Sequence, residues 1–379
     1  MPKPISGIIL IRSLSTGGAE RQAIEIAASL NKRGFNAAIM VFYGNGALET
    51  EALSKGVRVI DLKKGGRWDL FSFLLNLRAI FLKERPDFVY SLLTGANIIA
   101  CLLKVIRPQT PIIWGIRAAD KNMDIYDVPA RVTTLLETKL SFIPDHVIAN
   151  SHAGREVVLE RGYPSSKVSV ITNGINTELY FPSQDLRSEI RQQWGLRPEQ
   201  KAIGLIGRLD PVKGHDVFFE AASEILRSIP SACFFIIGDG PAPYRERLEL
   251  LSGSLGLGDN LVWIPFPESM NAIYNGLDVI VSSSFFEGTS NVICEAMACG
   301  KPCIVTDVGD SARIAGGLGR VVPPGDALAI SNALTSLLEE EAPQPEQLRG
   351  HIIKQYGLEQ LGMSTKVLIE EVIACTSST

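Results

Sequence analysis

Ala202-Ile203-Gly204-Leu205-Ile206-Gly207-Arg208-Leu209-Asp210-Pro211-Val212-Lys213-Gly214-His215-Asp216 decides the fold. Its first five residues are apolar or small throughout, which suits a strand covered on both faces. The glycine, aspartate and proline that follow make a turn. From 215 to 228 apolar residues return at helical spacing. Strand, turn and helix in that order form half of a crossover unit, which leaves successive strands parallel.

The same rhythm extends in both directions. Strand-like runs lie at 7–11, 37–42, 57–61, 88–91, 112–115, 146–149 and 168–171, with helical patterns at 19–33 and 70–84 among those between them. Beyond the opening stretch they recur at 233–237, 261–264, 279–282, 303–306 and 320–322, with a helical pattern at 291–299 and a last one near 359–373. Pro86, Pro108 and Pro144 fall in connections, where helices end. The turn-rich Thr172-Asn173-Gly174-Ile175-Asn176 and the linker-like Phe181-Pro182-Ser183 separate the two series. The expected fold is therefore α/β. It has two facing, Rossmann-like, doubly wound parallel-sheet domains, 1–180 and 181–355, with the ligand cleft between them.

Composition narrows the function. The 379 residues are 46% hydrophobic and 21% charged, enough for a full core in each of two or three domains. A net charge of -4 opposes nucleic acid as the main partner, since affinity for phosphate backbones needs excess Lys and Arg. Cys101, Cys233, Cys294, Cys299, Cys303 and Cys375 form no Cys-x-x-Cys pair, and most lie in apolar runs as core thiols do. The four histidines show no metal-ligand spacing. Met1-Pro2-Lys3-Pro4 runs into a short apolar strand without the flanks of a signal peptide, and no run is long enough to span a bilayer. The expected location is cytoplasmic.

Three segments carry chemistry. Arg208 and Lys213 stand where the strand 202–206 ends. Fixed cations there would stabilise a diphosphate leaving group as it gains charge; alone, the segment reads equally as a solvated surface turn. Phe286-Glu287-Gly288-Thr289-Ser290-Asn291-Val292-Ile293-Cys294-Glu295 puts small and capping residues, Gly288, Thr289, Ser290 and Asn291, before a helix whose free N–H groups can meet a phosphate or sugar oxygen. Glu287 lies just before that helix and Glu295 about one turn in, and carboxylates suit vicinal diols. The helix dipole alone accounts for Glu287 but not for Glu295, which sits among apolar residues and needs partners. Together the two segments suit a ligand with a central diphosphate and hydroxyl-rich rings, as in a nucleotide-sugar. The third segment, Ser15-Thr16-Gly17-Gly18-Ala19-Glu20-Arg21, presents a glycine pair and a helix start to the same region. It contains no G-x-G-x-x-G, which counts against a dinucleotide, and no cofactor is expected.

Two further stretches stay open between readings. Gly238-Asp239-Gly240-Pro241 is a structural turn or a shaper of the base pocket. Residues 70–82 are unusually apolar, with Arg67, Arg78, Lys83 and Arg85 around them. They form a buried crossover helix or a membrane-surface face.

The glycine pair, Gly-Arg-Leu-Asp-Pro-x-Lys-Gly, Gly-Asp-Gly-Pro and Glu-Gly-x-Ser-Asn-Val-x-x-Glu-Ala-Met-Ala-Cys-Gly-Lys-Pro resemble glycosyltransferase family 4, retaining enzymes of GT-B fold. The resemblance spans nearly the whole chain and is strongest from 207 to 310. It implies that Arg208 and Lys213 bind the donor diphosphate, Glu287 the donor sugar and Glu295 the ribose. Gly17 and Gly18 would line the diphosphate from the other domain. Donors would be UDP- or GDP-sugars, with no metal. A final helix within 356–379 would return to the first domain after the break at Pro343 and Pro345. Many relatives carry a His at the end of a first-domain strand. The matching stretch here, Ile112-Ile113-Trp114-Gly115-Ile116-Arg117-Ala118-Ala119-Asp120, has none, so Arg117 or Asp120 would take part of that role.

The reading is a retaining, metal-independent transferase. It moves a hexose or N-acetylhexosamine from a nucleoside-diphosphate sugar, expected to be a UDP-sugar, to a hydroxyl. The acceptor is a glycan or a lipid-linked glycan of surface polysaccharide synthesis, met in peripheral contact with a membrane. No carboxylate need act as nucleophile, because the departing phosphate can take the acceptor proton on the same face. The alternatives are a sugar-nucleotide epimerase on the same fold and a non-enzymatic two-lobed binding protein.

Overall fold

The computed structural model describes residues 4–66, 68–117, 128–267, 269–339 and 342–377. They divide into two compact units. One comprises Met1–Gly174 with Leu358–Thr379, the other Ile175–Gly357.

The first unit holds β1 (Ser6–Ile11), β2 (Asn36–Val41), β3 (Arg58–Asp61), β4 (Phe88–Leu92), β5 (Ile112–Ile116), β6 (His146–Ala149) and β7 (Val168–Val170). They form one sheet in the order β3-β2-β1-β4-β5-β6-β7, parallel throughout. Strand alternation builds two cores. Ile9, Ile11, Ile39, Val41, Phe88 and Tyr90 pack on one face with Ile24 and Ala27 of the helix Gly18–Asn31 and Leu361 and Ile369 of the helix Leu358–Ser377. Ile8, Leu10, Met40, Val89 and Trp114 pack on the other with Phe73, Leu77 and Phe81 of the helix Phe71–Glu84. The last helix of the chain thus belongs to the first unit.

The second unit holds β8 (Lys201–Ile206), β9 (Ala232–Ile237), β10 (Leu261–Ile264), β11 (Val279–Ser282), β12 (Cys303–Thr306) and β13 (Arg320–Val322). Their order is β10-β9-β8-β11-β12-β13, again parallel. In each sheet the strand order proceeds outward in both directions from a central pair, β1-β4 or β8-β11, so ligands are expected beyond the carboxyl ends of the strands there.

Three expectations shift. Phe181–Ser183 is no free linker: the Phe181 amide donates to Asn271 Oδ1 at 3.2 Å and the Ser183 amide to Asn275 Oδ1 at 2.7 Å. Arg349 adds bonds to the Thr177 and Tyr180 carbonyls, so these residues are anchored to the second unit, which begins at Ile175 rather than 181. The proline-rich break is a helix start. Pro345 is the first residue of Pro345–Tyr356, capped by reciprocal Gln344 and Gln347 bonds. The return to the first unit falls within 356–379 as expected, at Leu358, directly after Gly357, which pairs in parallel with Ile175. All six cysteines are free thiols, and only Cys375 is exposed.

Candidate active site

In the second unit the loop after β8 is stitched to the end of β11. Asp210 opens a short 3-10 turn, Pro211–Lys213, by accepting from the Val212 amide at 3.0 Å. The Phe285 amide donates to the Val212 carbonyl at 2.8 Å. Ser283 Oγ donates to the Lys213 and Gly214 carbonyls at 3.0 and 2.8 Å. Gly214 sits at φ 64, and a Cβ there would lie 2.2 Å from the Ser283 carbonyl oxygen, so only glycine fits. The consequence is a contact between residues 74 positions apart: Lys213 Nζ lies 2.6 Å from Glu287 Oε1.

Glu287 is held from below as well. Ser284 Oγ donates to the same Oε1 at 2.7 Å, and Thr306 Oγ1 bonds the Ser284 carbonyl at 2.6 Å. Gly309, at φ 57, passes so close that a Cβ would meet the Glu287 carbonyl oxygen at 2.0 Å. The Asp310 amide bonds the Gly288 carbonyl at 3.1 Å. Lys213 and Glu287 are both largely covered, at 24% and 11% side-chain exposure, whereas Arg208 is 75% exposed and reaches only its loop neighbour Asp210 at 3.2 Å. Two of the four charged groups expected together are therefore in direct contact, and Arg208 stands free of them at the rim.

Gly288 and Thr289 lead to Ser290, the extended residue before the helix Asn291–Ala298. Ser290 makes no side-chain cap bond, contrary to the capping pattern of its segment. Glu295, half-buried in that helix, accepts from Tyr274 Oη at 2.7 Å. Tyr274 is fully buried, and burial together with the Glu295 charge holds its phenol well above the usual value. His215, the first residue of the helix His215–Ser228, is buried with neither ring nitrogen hydrogen-bonded. Burial lowers its pKa from 6.5 to about 4, so it is neutral near pH 7.

In the first unit Gly17 precedes the helix Gly18–Asn31 in extended backbone that any residue adopts. A Cβ on Gly17 would meet only the flexible Glu20 carboxylate, at 2.2 Å. Gly17 is thus not forced by backbone geometry. Arg117 stands directly after β5. Its Nη1 donates to Asn173 Oδ1 at 2.8 Å and its Nη2 to Tyr90 Oη at 3.0 Å, while its Nε is buried without a partner. Asp120 lies outside the described residues.

The comparisons match this architecture. A family model described as Glycosyltransferase Family 4 matches residues 16–179, and one described as Glycosyl transferases group 1 matches 200–340. The chain belongs to glycosyltransferase family 4. Relatives of this family-4 chain include the D-inositol 3-phosphate glycosyltransferase of Segniliparus rotundus, 28% identical over 51% of this chain and 44% of that one. The GDP-mannose-dependent alpha-(1-6)-phosphatidylinositol monomannoside mannosyltransferase of Mycolicibacterium smegmatis is 29% identical over 47% and 48%. The chain spans about half the length of the curated relatives it matches. Among solved structures, Anabaena Alr3699/HepE in complex with UDP-glucose aligns with TM-score 0.84 at 21% identity, over 98% of this chain and 100% of that one. The two parallel-sheet units match GT-B glycosyltransferase structures.

Six residues of these two rims escape a reading of motifs: Tyr274, Ser283, Ser284, Tyr90, Asn173 and His215. One signal was available. Ser282-Ser283-Ser284 is polar at the carboxyl end of an apolar strand, where rim residues belong.

Proposed function

We propose that this chain is a retaining glycosyltransferase that moves a hexose or N-acetylhexosamine from a UDP-sugar to a lipid-linked glycan of surface polysaccharide synthesis. The observation that carries the reading is the covered Lys213–Glu287 pair at the carboxyl ends of β8 and β11. An ammonium has three donors, and one is spent on Glu287, which leaves two for diphosphate oxygens. Arg208, exposed at the rim, adds a second cation. Glu287 Oε1 already accepts from Lys213 and Ser284, leaving Oε2 for a sugar hydroxyl. Glu295, anchored by Tyr274, takes the ribose diol. Gly288, Thr289, Ser290 and Asn291 offer backbone N–H groups at the helix start, and Gly17 and Gly18 do so from the first unit.

As the glycosidic bond breaks, charge grows on the diphosphate beside Lys213 and Arg208. Preorganised cations stabilise that charge without a metal. The departing phosphate takes the acceptor proton on the same face, so the anomeric configuration is kept. UDP appears in complexes of the Anabaena structure, and a lipid acceptor in the name of the mycobacterial relative. Both support the reading of donor and acceptor class.

The lipid side has its own support. The helices Phe71–Glu84, Thr94–Ile106 and Val128–Leu140 are neighbours on the first unit. Phe73, Leu77 and Phe81 face the core, so the first of these is a crossover helix. The same helix exposes Phe71, Leu74 and Leu75, and the next two expose Leu102 and Val105, then Val132, Leu135 and Leu136. Their acidic residues are Glu84, paired with Arg58, and Glu137, which is buried. Arg78, Lys83 and Lys139 are exposed. An apolar face rimmed by cations suits anionic lipid. Among the described residues no helix is long and apolar enough to cross a membrane.

The test is sugar-nucleotide turnover in EDTA, with UDP-, GDP- and ADP-sugars, with and without a polyprenyl-diphosphate-linked acceptor. Transfer only with the acceptor supports the reading. A new sugar nucleotide from donor alone would make it an epimerase, and dependence on added manganese would refute the cation-only site.

A further inference from the structure

Leu93 is held in a backbone conformation that leucine ordinarily avoids. It joins β4 to the helix Thr94–Ile106 at φ 74, ψ 153, a region occupied almost only by glycine. The other described non-glycine residues at positive φ, Asn45, Lys63 and Arg85, are polar and exposed. The surroundings over-determine the corner. The Leu93 amide donates to the Gly115 carbonyl at 3.1 Å, and the Leu93 carbonyl accepts from the Asn97 amide at 2.9 Å. Behind it lies a polar network. Ser91 Oγ donates to Asn97 Oδ1 at 2.7 Å, Asn97 Nδ2 to Glu137 Oε1 at 2.7 Å, and Thr94 Oγ1 to Glu137 Oε2 at 3.0 Å. Ser91, Asn97 and Glu137 are buried, and a covered carboxylate needs such partners. Core packing does not account for the strain. Among the described residues Leu93 is half-buried and belongs to neither core of the sheet, whereas Leu92 before it lies in one. Its place is also particular. β4 pairs with β1 at the centre of the sheet, where a ligand is expected beyond the carboxyl ends. Strain kept in place at such a point belongs to function rather than to stability.

We infer that Leu93 determines acceptor specificity: the strained corner keeps its side chain out of both cores to form an apolar wall for the C–H face of the acceptor's sugar ring. This rests on the proposed assignment of the first unit to the acceptor. Glycine would relax the corner but present no wall. Leucine supplies shape rather than chemistry, so it selects which acceptor settles there and takes no part in breaking the glycosidic bond.

The experiment compares the full-length wild type with Leu93→Met, Leu93→Ala and Leu93→Gly. Melting temperature and UDP affinity are measured for each. Transfer is measured from UDP-, GDP- and ADP-sugars to polyprenyl-diphosphate-linked glucose, galactose and N-acetylglucosamine. Alanine and glycine both remove the leucine side chain, so their difference isolates the backbone. We expect Leu93→Gly to melt above Leu93→Ala, the reverse of the order at ordinary φ, since glycine alone adopts this conformation freely. In both variants the acceptor KM should rise about ten-fold or more, the scale for a lost apolar contact in a specificity pocket, and the preference among the three acceptors should flatten. Leu93→Met, which keeps the volume, should stay within a few-fold of wild type. UDP affinity and donor KM should hold within two-fold throughout. An unchanged acceptor KM in Leu93→Ala would overturn the inference while leaving wild-type transfer intact. So would donor and acceptor KM rising together, the mark of a purely structural leucine, or Leu93→Ala melting above Leu93→Gly, which would mean that no strain is held there. If wild type transfers to none of the acceptors, the proposed function fails, and the acceptor wall with it.

Discussion

The carboxyl-end rims of the two units solve the problem of charge in opposite ways. In the second unit a covered cation and a covered carboxylate satisfy each other, Lys213 with Glu287, on loops fixed by Ser283, Ser284 and Gly214. In the first, the partners of Arg117 among the described residues are neutral groups, Asn173 and Tyr90. A balanced pair can accept a polar ligand by exchanging partners. The difference teaches that the second unit's rim is preorganised around a charge pair, whereas the described rim of the first holds its cation with neutral hydrogen-bond acceptors.

The sharpest way to break this contrast is Glu287→Gln. Losing the carboxylate should cut turnover about 10²–10³-fold, the scale for one preorganised electrostatic group, while UDP affinity stays close to wild type. Single-turnover rates beside calorimetry decide it. A rate loss matched by an equal affinity loss would make Glu287 a nucleotide ligand.

His215 sharpens the comparison through stability. Its folded pKa, about 4 against an ordinary 6.5, means that the unfolded chain binds the proton first as pH falls. Stability should therefore be fully present above pH 6.5, drop as pH falls toward about 4, and level off below, a loss of about 3 kcal/mol at this group. Denaturant unfolding of wild type and His215→Phe across that window checks it: the variant should show a shallower slope, and identical slopes would refute the assignment.

The smallest effect belongs to the outer face of the first unit. Phe71→Ser with Leu75→Ser should weaken sedimentation with anionic vesicles several-fold at low salt without lowering the melting temperature, since both side chains are exposed. Arg78→Gln should weaken binding by about 1 kcal/mol. Vesicle binding unchanged in all of these would leave the apolar face without its lipid.

Much of this was legible in the chain. The thirteen strands among the described residues can be read from apolar runs ended by turns, the inner ones most plainly because strands buried on both faces need no alternation to be seen. Lys213 and Glu287 are visible as motif residues, yet their contact is not, because it depends on Ser283 and Gly214 closing two loops together. The partner of Glu295 was called for by its apolar surroundings but could not be named, since Tyr274 lies 21 residues away on another helix. The return of the chain within 356–379 was legible, whereas the helix Pro345–Tyr356 was hidden by Pro345, which reads as a helix breaker although proline is equally a helix starter. Arg117 was noticed only as the residue in another's place. That its described partners are the neutral Tyr90 and Asn173 is a fact of packing, invisible in the sequence.

The division of labour between the two rims is tested most directly by calorimetry of UDP with Lys213→Ala and Arg117→Gln side by side. Loss of a charge-assisted bond of about 1.5–3 kcal/mol predicts a ten- to hundred-fold weaker UDP for Lys213→Ala and affinity within two-fold of wild type for Arg117→Gln. Unchanged UDP binding in Lys213→Ala, or a comparable loss in Arg117→Gln, would contradict it.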